Sequence, residues 1–276
     1  MPAPALAIRH LARAFRTLHV LRDINLEVPR GAVVCILGAN GSGKTTLLEI
    51  LATLLRPTGG QAFVHGLDVA TEGAAIRRIA GYGLSNLQTF YPQLSGRRNL
   101  EFFAAIHRLD PGRARRRAAV LLDALGLANA GSVRVQEFSD GMKARLSIAR
   151  ALIADPPLLL LDEPTASLDL GYQLEVAALV TRLNRDRGVT IVVSTHDLNL
   201  AAAICQEIVM LRGGRVIASG PTAEVLTSDN IRQLYDVEAD VQTHVSTGHL
   251  VVVPVNRLSP ASGRGSPIAG HGGSAQ

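Results

Sequence analysis

The order of apolar and polar positions predicts short buried strands that alternate with helices. Residues 32–37, 158–161 and 189–193 are apolar runs whose length and composition are typical of buried strands. Continuous runs of this kind are characteristic of parallel strands covered on both faces. Apolar residues at helical spacing follow the first run at 47–54 and precede the second at 142–153. The pattern therefore predicts an α/β fold with a central parallel sheet.

Start and stop signals predict the remaining elements of the first two thirds of the chain. Loose alternation over residues 5–36 indicates short strands before a glycine-rich stretch at residues 38–46. Residues 76–95 show no regular period and are predicted to be irregular. Helices are predicted near 96–107, from Asp110-Pro111 to Gly126, after Ser139, and over about 170–187 with Gly188 at the end. Residues 96–155 are thus mainly helical and could form a separate lobe.

The last third of the chain is predicted to be less regular. Two apolar runs separated by Gly213-Gly214 indicate a hairpin with a two-residue turn. One more helix is expected after about residue 222, followed by weak strands around 236–255. Residues 258–276 are mostly Gly, Ser, Pro and Ala, so we expect them to be disordered.

The first buried run leads into a glycine-rich stretch, residues 38–46, that fits the pattern G-x-x-x-x-G-K-[ST]. Between a strand and a helix, such a stretch can turn its backbone N–H groups inward and use the helix N-terminus to hold phosphate. Lys44 is one of only two lysines in the chain. Its side chain can reach β- and γ-phosphates, and the Thr45 hydroxyl can bind Mg²⁺. The alternative, a glycine-rich turn without a ligand, is less favoured.

Acidic and histidine side chains follow the other two buried runs. Asp162 and Glu163 end the second run, and His196 comes just after the third. Open α/β sheets bind ligands at the carboxyl ends of their strands, which favours a functional interpretation of all three. Asp162 can hold Mg²⁺ directly or through water. Glu163 can polarise an attacking water molecule.

Composition limits the classes of protein but does not name a partner. The net charge of +5 is carried mostly by arginine and permits nucleic acid or an acidic membrane without requiring either. The arginine run at 113–117 is interpreted as a solvated helix face. Cys35 and Cys205 lie in no metal or redox pattern, which favours buried thiols in a reducing compartment. No apolar run approaches the ~18 residues of a membrane-spanning helix.

Taken as an ordered set, the motifs GANGSGKTT, FSDGMKARLSIARAL, LLLLDEPTASLD and STHD resemble the ATPase subunits of ATP-binding cassette (ABC) transporters. The resemblance covers about residues 5–256. It implies a P-loop NTPase core with a mainly parallel sheet, an N-terminal antiparallel β subdomain and an inserted α-helical subdomain at about 96–155. It also implies hydrolysis of ATP with Mg²⁺, leaving 257–276 as a tail.

The resemblance further implies a head-to-tail pair of subunits, expected to be a homodimer, with each ATP between two copies. Phe15 would stack on adenine. The catalytic residues would be Lys44 on the β- and γ-phosphates, Glu163 on an attacking water molecule and His196 as sensor of the γ-phosphate. Thr45 and Asp162 would hold Mg²⁺. Further contacts to nucleotide are expected from Gly38, Asn40, Gly41, Ser42, Gly43, Thr45 and Thr46, and from Ser139, Gly141 and Asp169 of the opposite copy. The expected partners are transmembrane permease subunits and, for an importer, a substrate-binding protein, with no nucleic acid. The expected location is the cytoplasmic face of the cell membrane, as a peripheral subunit.

Two departures leave parts of the resemblance open. The family carries a glutamine between the sheet and the helical lobe, whereas here Ser85 or Asn86 aligns best and Gln88 would need a loop shift. The chain is similar to importers of iron chelates, haem or cobalamin at residues 172–176, 196–202, 224–227, 234–237 and 247–254, and this longer C-terminal match favours import. Residues 89–103 and the Gly-Met signature are instead similar to exporters. A soluble ABC ATPase and a regulator that does not turn over are further alternatives.

Overall fold

The computed structural model describes residues 3–83, 90–166 and 168–257. The strands in these ranges are β1 Leu6–Phe15, β2 Leu18–Val28, β3 Val33–Leu37, β4 Gly59–Val64, β5 Leu67–Asp68, β6 Ala80–Gly83, β7 Leu158–Asp162, β8 Thr190–Thr195, β9 Glu207–Arg212, β10 Arg215–Pro221, β11 Val237–Thr243 and β12 Leu250–Arg257. The main sheet has the strand order β10-β9-β3-β8-β7-β6, in which β10 is antiparallel to β9 and the other neighbours are parallel. A second, antiparallel sheet has the order β2-β1-β4-β5. The mixed α/β fold with its antiparallel part confirms the prediction.

Helices cover both faces of the main sheet. They are α1 Lys44–Leu51, α2 Gly73–Ile79, α3 Gly96–Ile106, α4 Pro111–Ala124, α5 Asp140–Ala151, α6 Leu170–Arg187, α7 Leu198–Ile204, α8 Thr222–Val225 and α9 Ser228–Tyr235. Alternate residues of β3 enter two separate cores: Cys35 packs with α5, α6 and α7, whereas Ile36 packs with α1 and the antiparallel sheet. Because both faces are covered, the strand is wholly apolar, as the continuous run predicts.

Segment 76–95 is more regular than predicted, because it contains the end of α2 and the whole of β6. The sequence pattern did not indicate β6, because two of its four residues are glycines and carry no side chain that could alternate between apolar and polar. A Cβ atom on Gly81 would lie 2.1 Å from the carbonyl oxygen of Ala151, so the close approach of α5 requires glycine there. The tight packing of the helix thus requires glycine at a position where an apolar side chain would have indicated a strand.

Two other expectations need correction. The single helix expected after residue 222 is two short helices: α8 ends at Val225, and the Thr227 side chain accepts a hydrogen bond from the Asn230 N–H to cap α9. The arginine run is not wholly solvated: the Arg117 guanidinium lies 3.2 Å from Asp155 and donates to the Leu152 carbonyl at 2.6 Å. Burial lowers the pKa of Arg117, while Asp155 opposes that shift.

Several predicted ends and turns are confirmed. Asp110 caps α4 and Ser139 caps α5, each through its side-chain oxygen. Gly188 ends α6 in the left-handed conformation, with φ 63°. The β9–β10 hairpin turns at Gly213-Gly214, and both cysteines are buried and free. Ser85, Asn86 and Gln88, and the tail from residue 258, lie outside the described residues. Within the described ranges, every helix is too short or too polar to cross a bilayer.

Candidate functional site

Three parallel strands bring the predicted site residues to one edge of the main sheet. β8 lies between β3 and β7, with Leu37 opposite Thr195 and Asp162 opposite Ser194. Since parallel strands end at the same edge, the residues that follow them converge there. The structure therefore places the glycine-rich loop, the two acids and His196 side by side.

The loop glycines are required by backbone conformation and by crowding. Gly41 and Gly43 have φ angles of 79° and 108°, which residues with a side chain rarely adopt. A Cβ atom on Gly38 would lie 2.4 Å from the Leu211 carbonyl oxygen, and one on Gly43 would lie 2.7 Å from Cδ2 of Leu21. Asn40 is exposed in the same loop, Ser42 is buried, and Thr46 is half-buried in the first turn of α1.

Lys44 lies at the centre of the site, although only 5% of it is exposed. Its ammonium group donates to the carbonyl oxygens of Gly38 at 2.8 Å and Ala39 at 3.3 Å. It also lies 3.3 Å from Oε1 of Glu163. Burying an ammonium group is costly unless it is paired and hydrogen-bonded, and these three contacts provide the pairing.

Asp162 is the most enclosed acid of the site, with 2% exposure. Its Oδ1 atom accepts hydrogen bonds from the Ser194 hydroxyl at 2.6 Å and the Thr45 hydroxyl at 3.2 Å. The carboxylate and hydroxyl oxygens at this point are hard donors of the kind that Mg²⁺ prefers, so these residues fit that ion. Ser194 was not singled out from the sequence. Its position in β8, two residues before His196, is the signal that could have found it.

Glu163 and His196 form a second polar pair beside Lys44. His196 Nδ1 lies 2.7 Å from Glu163 Oε2, and the Glu163 N–H donates to the Ser194 carbonyl at 3.1 Å. Glu163 has a φ of 48°, an uncommon conformation for a residue with a side chain, and its side chain is 16% exposed. The His196 ring is 56% exposed. Both oxygens of Glu163 thus have a cationic or hydrogen-bonding neighbour at the surface of the site.

The signature residues Ser139 and Gly141 lie at the N-terminus of α5. The other end of α5, at Ala151, packs against β6. A twelve-residue helix separates the two ends by roughly 18 Å. Gly141 packs beside Leu168, because a Cβ atom on Gly141 would lie 3.4 Å from Cδ2 of Leu168. The next residue, Asp169, caps α6. The three expected contacts of the opposite copy therefore share one region of the surface.

The buried Arg145 side chain links the helices that carry Ser139, Gly141 and Asp169. Its guanidinium donates to the Leu125 carbonyl at 3.1 Å and lies 3.9 Å from the centroid of the Tyr172 ring. Only 5% of Arg145 is exposed. The contacts join the end of α4, the start of α5 and the start of α6, which fixes Ser139 relative to Asp169.

Phe15 ends β1 and is 42% exposed, with the Arg13 guanidinium 4.3 Å from its ring centroid. The following strand, β2, passes directly beside the glycine-rich loop, since Leu21 contacts the position of Gly43. The β1–β2 hairpin thus brings an exposed aromatic ring to the side of the loop. A ring in this setting can stack on a nucleobase.

Comparison with known proteins agrees with the motifs and with this geometry. The family model of the ABC transporter matches residues 21–166. The chain belongs to the ABC transporter family. It is an ATPase and the ATP-binding subunit of such a transporter.

Relatives of this ABC subunit include exporter-type and importer-type proteins. The daunorubicin resistance ATP-binding protein DrrA3 of Streptomyces coeruleorubidus is 38% identical over 86% of this chain and 74% of its own length. The hemin import ATP-binding protein HmuV of Bordetella pertussis is 33% identical over 90% of this chain and 98% of its own length. The dimeric post-hydrolysis structure of the cassette MJ0796, bound to ADP and Pi, has a TM-score of 0.74 at 28% identity, covering 79% of this chain and 98% of that one.

Proposed function

We propose that this subunit binds Mg²⁺-ATP at the edge of the main sheet and hydrolyses it between two copies of the chain. The observation that carries the proposal is the joint position of Lys44 and the two acids, with Asp162 bonded to Thr45 and Glu163 bonded to Lys44 and His196. Mg²⁺, when bound, would neutralise phosphate charge, and Thr45 and Asp162 would hold it. Phosphoryl transfer mainly requires such positioning and charge neutralisation.

The contacts of Lys44 suggest how nucleotide changes the site. In the structure Lys44 is bonded to Gly38, Ala39 and Glu163. A triphosphate in the loop would replace Glu163 as the anionic partner of Lys44, because phosphate oxygens carry more charge. Glu163 is then free to accept the proton of an attacking water molecule as general base. His196, 2.7 Å away, keeps the carboxylate oriented and can contact the γ-phosphate.

A second copy would complete the site. Ser139 and Gly141 at the start of α5 and Asp169 at the start of α6 form one surface region, and we expect this region to serve the loop of the opposite copy. The MJ0796 structure is dimeric and holds ADP and Pi. ATP that bridges two copies has higher affinity for the closed pair, which is what a ligand-driven switch requires. We expect permease subunits to sense that closure.

Import of an iron chelate, haem or cobalamin is the transport function that we favour. One importer-like motif, residues 247–254, lies in the C-terminal hairpin β11–β12 and contacts another, residues 196–202, through two hydrogen bonds between Asn199 and Val252. The HmuV alignment covers 90% of the chain, against 86% for DrrA3. Export is the second candidate, because DrrA3 has the higher identity and residues 89–103 resemble exporters.

Loss of the gene distinguishes the two directions. For import, we expect a deletion strain to lose uptake of a radiolabelled ferric chelate, haem or cobalamin, and a plasmid copy to restore it. A Glu163→Gln copy should fail to restore uptake, since transport needs hydrolysis. Normal uptake of all three substrates together with increased retention of an anthracycline would contradict import and support export.

A further inference from the structure

One buried hydroxyl group, that of Ser194, joins the two acids of the site. Ser194 lies near the end of β8 and is completely buried, and the strand register places it opposite Asp162, the last residue of β7. Its hydroxyl donates to Asp162 Oδ1 at 2.6 Å and accepts a hydrogen bond from the Glu163 N–H at 3.1 Å. An ionised carboxylate only accepts hydrogen bonds and an N–H only donates, so the direction of both bonds is fixed.

The bond to Asp162 differs from the second bond to the same oxygen. Thr45 also donates to Oδ1, but at 3.2 Å and from an exposed position in the first turn of α1. Solvent can replace the Thr45 hydroxyl, whereas it does not reach the hydroxyl of Ser194. Ser194 is therefore the donor that holds the Asp162 carboxylate whatever the Thr45 hydroxyl binds.

The bond to Glu163 acts on the backbone. Glu163 leaves the end of β7 with a φ of 48°, which is uncommon for a residue with a side chain. Its N–H donates to both the carbonyl and the hydroxyl oxygen of Ser194, each at 3.1 Å. Because both acceptors belong to one residue, Ser194 fixes the point at which the Glu163 side chain leaves the strand end.

We infer that Ser194 is a positioning residue that orients Asp162 for Mg²⁺ and holds Glu163 in place beside it. The inference rests on the proposed function, in which Asp162 holds Mg²⁺ and Glu163 is the general base. Hydrogen bonds to a metal-binding side chain fix its orientation, and their loss commonly costs about 10- to 100-fold in metal affinity or activity. One hydroxyl thus sets the metal-binding acid and the catalytic acid relative to each other.

Ser194→Ala tests this role, because it removes the hydroxyl and leaves the rest of the side chain. In EDTA, the Kd of a fluorescent ADP analogue should stay within about twofold of the wild-type value, since the loop is intact. The Kd of Mn²⁺ for the ADP-loaded protein, measured by electron paramagnetic resonance, should rise about tenfold. With saturating Mg²⁺, kcat for ATP should fall about three- to tenfold, the worth of one hydrogen bond in the transition state.

Thr190→Val is the matched control, because Thr190 carries a buried hydroxyl at the opposite end of the same strand. That hydroxyl accepts a hydrogen bond from the Gly31 N–H at 2.9 Å. Both variants lose a buried hydrogen bond, so the melting temperature should fall in both. The Mn²⁺ affinity and kcat should stay at wild-type values in the control, which a purely structural role of Ser194 does not predict.

Asp162→Asn separates failure of this inference from failure of the proposed function. It should lower the Mn²⁺ affinity more than Ser194→Ala does, because it changes the metal-binding group itself. If Asp162→Asn has this effect, an unchanged Mn²⁺ affinity or an unchanged kcat in Ser194→Ala, or equal losses in Thr190→Val, would overturn the inference alone. Wild-type Mn²⁺ affinity in Asp162→Asn would instead overturn the assignment of Asp162 as a metal ligand, and this inference with it.

Discussion

Replacement of Glu163 by glutamine is expected to reduce steady-state ATP hydrolysis by about 10²- to 10³-fold, within the usual contribution of a general base. The amide keeps the size of the side chain and a hydrogen-bonding contact with His196, but it cannot accept a proton from water. ATP binding should persist, since Lys44 and the loop are intact. The variant should therefore accumulate as an ATP-bound dimer, detectable as a doubled mass with bound ATP.

The control for this prediction is Glu224→Gln, the same substitution at an exposed position on α8. It should hydrolyse ATP at the wild-type rate, and its dimer should dissociate on dilution. Wild-type turnover in Glu163→Gln would exclude Glu163 as general base and would leave His196 as the nearest alternative. A monomeric Glu163→Gln protein that has ATP bound would contradict the proposed closure.

Replacement of Lys44 by alanine is expected to weaken ATP binding by roughly 10²-fold, which corresponds to about 3 kcal/mol. The ammonium group is the only lysine cation at the loop, and the sequence has just one other lysine, Lys143. Its removal leaves the phosphates without a charge-assisted donor and leaves Glu163 facing them as an anion. Hydrolysis should fall below detection at millimolar ATP.

Titration with a fluorescent ATP analogue measures the effect of Lys44→Ala directly. Lys143→Ala is the matched control, because Lys143 lies on α5 and pairs with Asp140 at 3.3 Å. The control should bind nucleotide as tightly as the wild type. Unchanged affinity in Lys44→Ala would contradict the assignment of the glycine-rich loop as the phosphate site.

The sequence was sufficient to predict how the site residues converge, because the reasons are local. Each buried apolar run is a strand of the parallel sheet, and such strands end at one edge. The chain residues next to those ends are the loop, Asp162 with Glu163, and His196. Geometry adds the partners that no local pattern contains: Ser194 bonds to Asp162 only because β8 lies beside β7 in a particular register.

Other features could not be predicted from the sequence, because they depend on contacts between segments that are far apart in the chain. Gly81 looks like a loop residue, yet it is a strand residue packed against the carbonyl of Ala151. Asp236 follows an ordinary amphipathic helix, yet it pairs with Arg212 and so holds the end of α9 beside β9. Long-range contacts of this kind set which side chains meet, and periodicity alone does not report them.

The central claim is that each ATP is hydrolysed by the loop of one copy and the signature region of another. Mixing two inactive variants, Lys44→Ala and Ser139→Asp, tests it most directly. Aspartate still caps α5 but places a negative charge against the γ-phosphate. A mixed pair has one intact site, so an equimolar mixture should recover about a quarter of the wild-type hydrolysis rate if pairing is random. A mixture as inactive as its two components would contradict the claim.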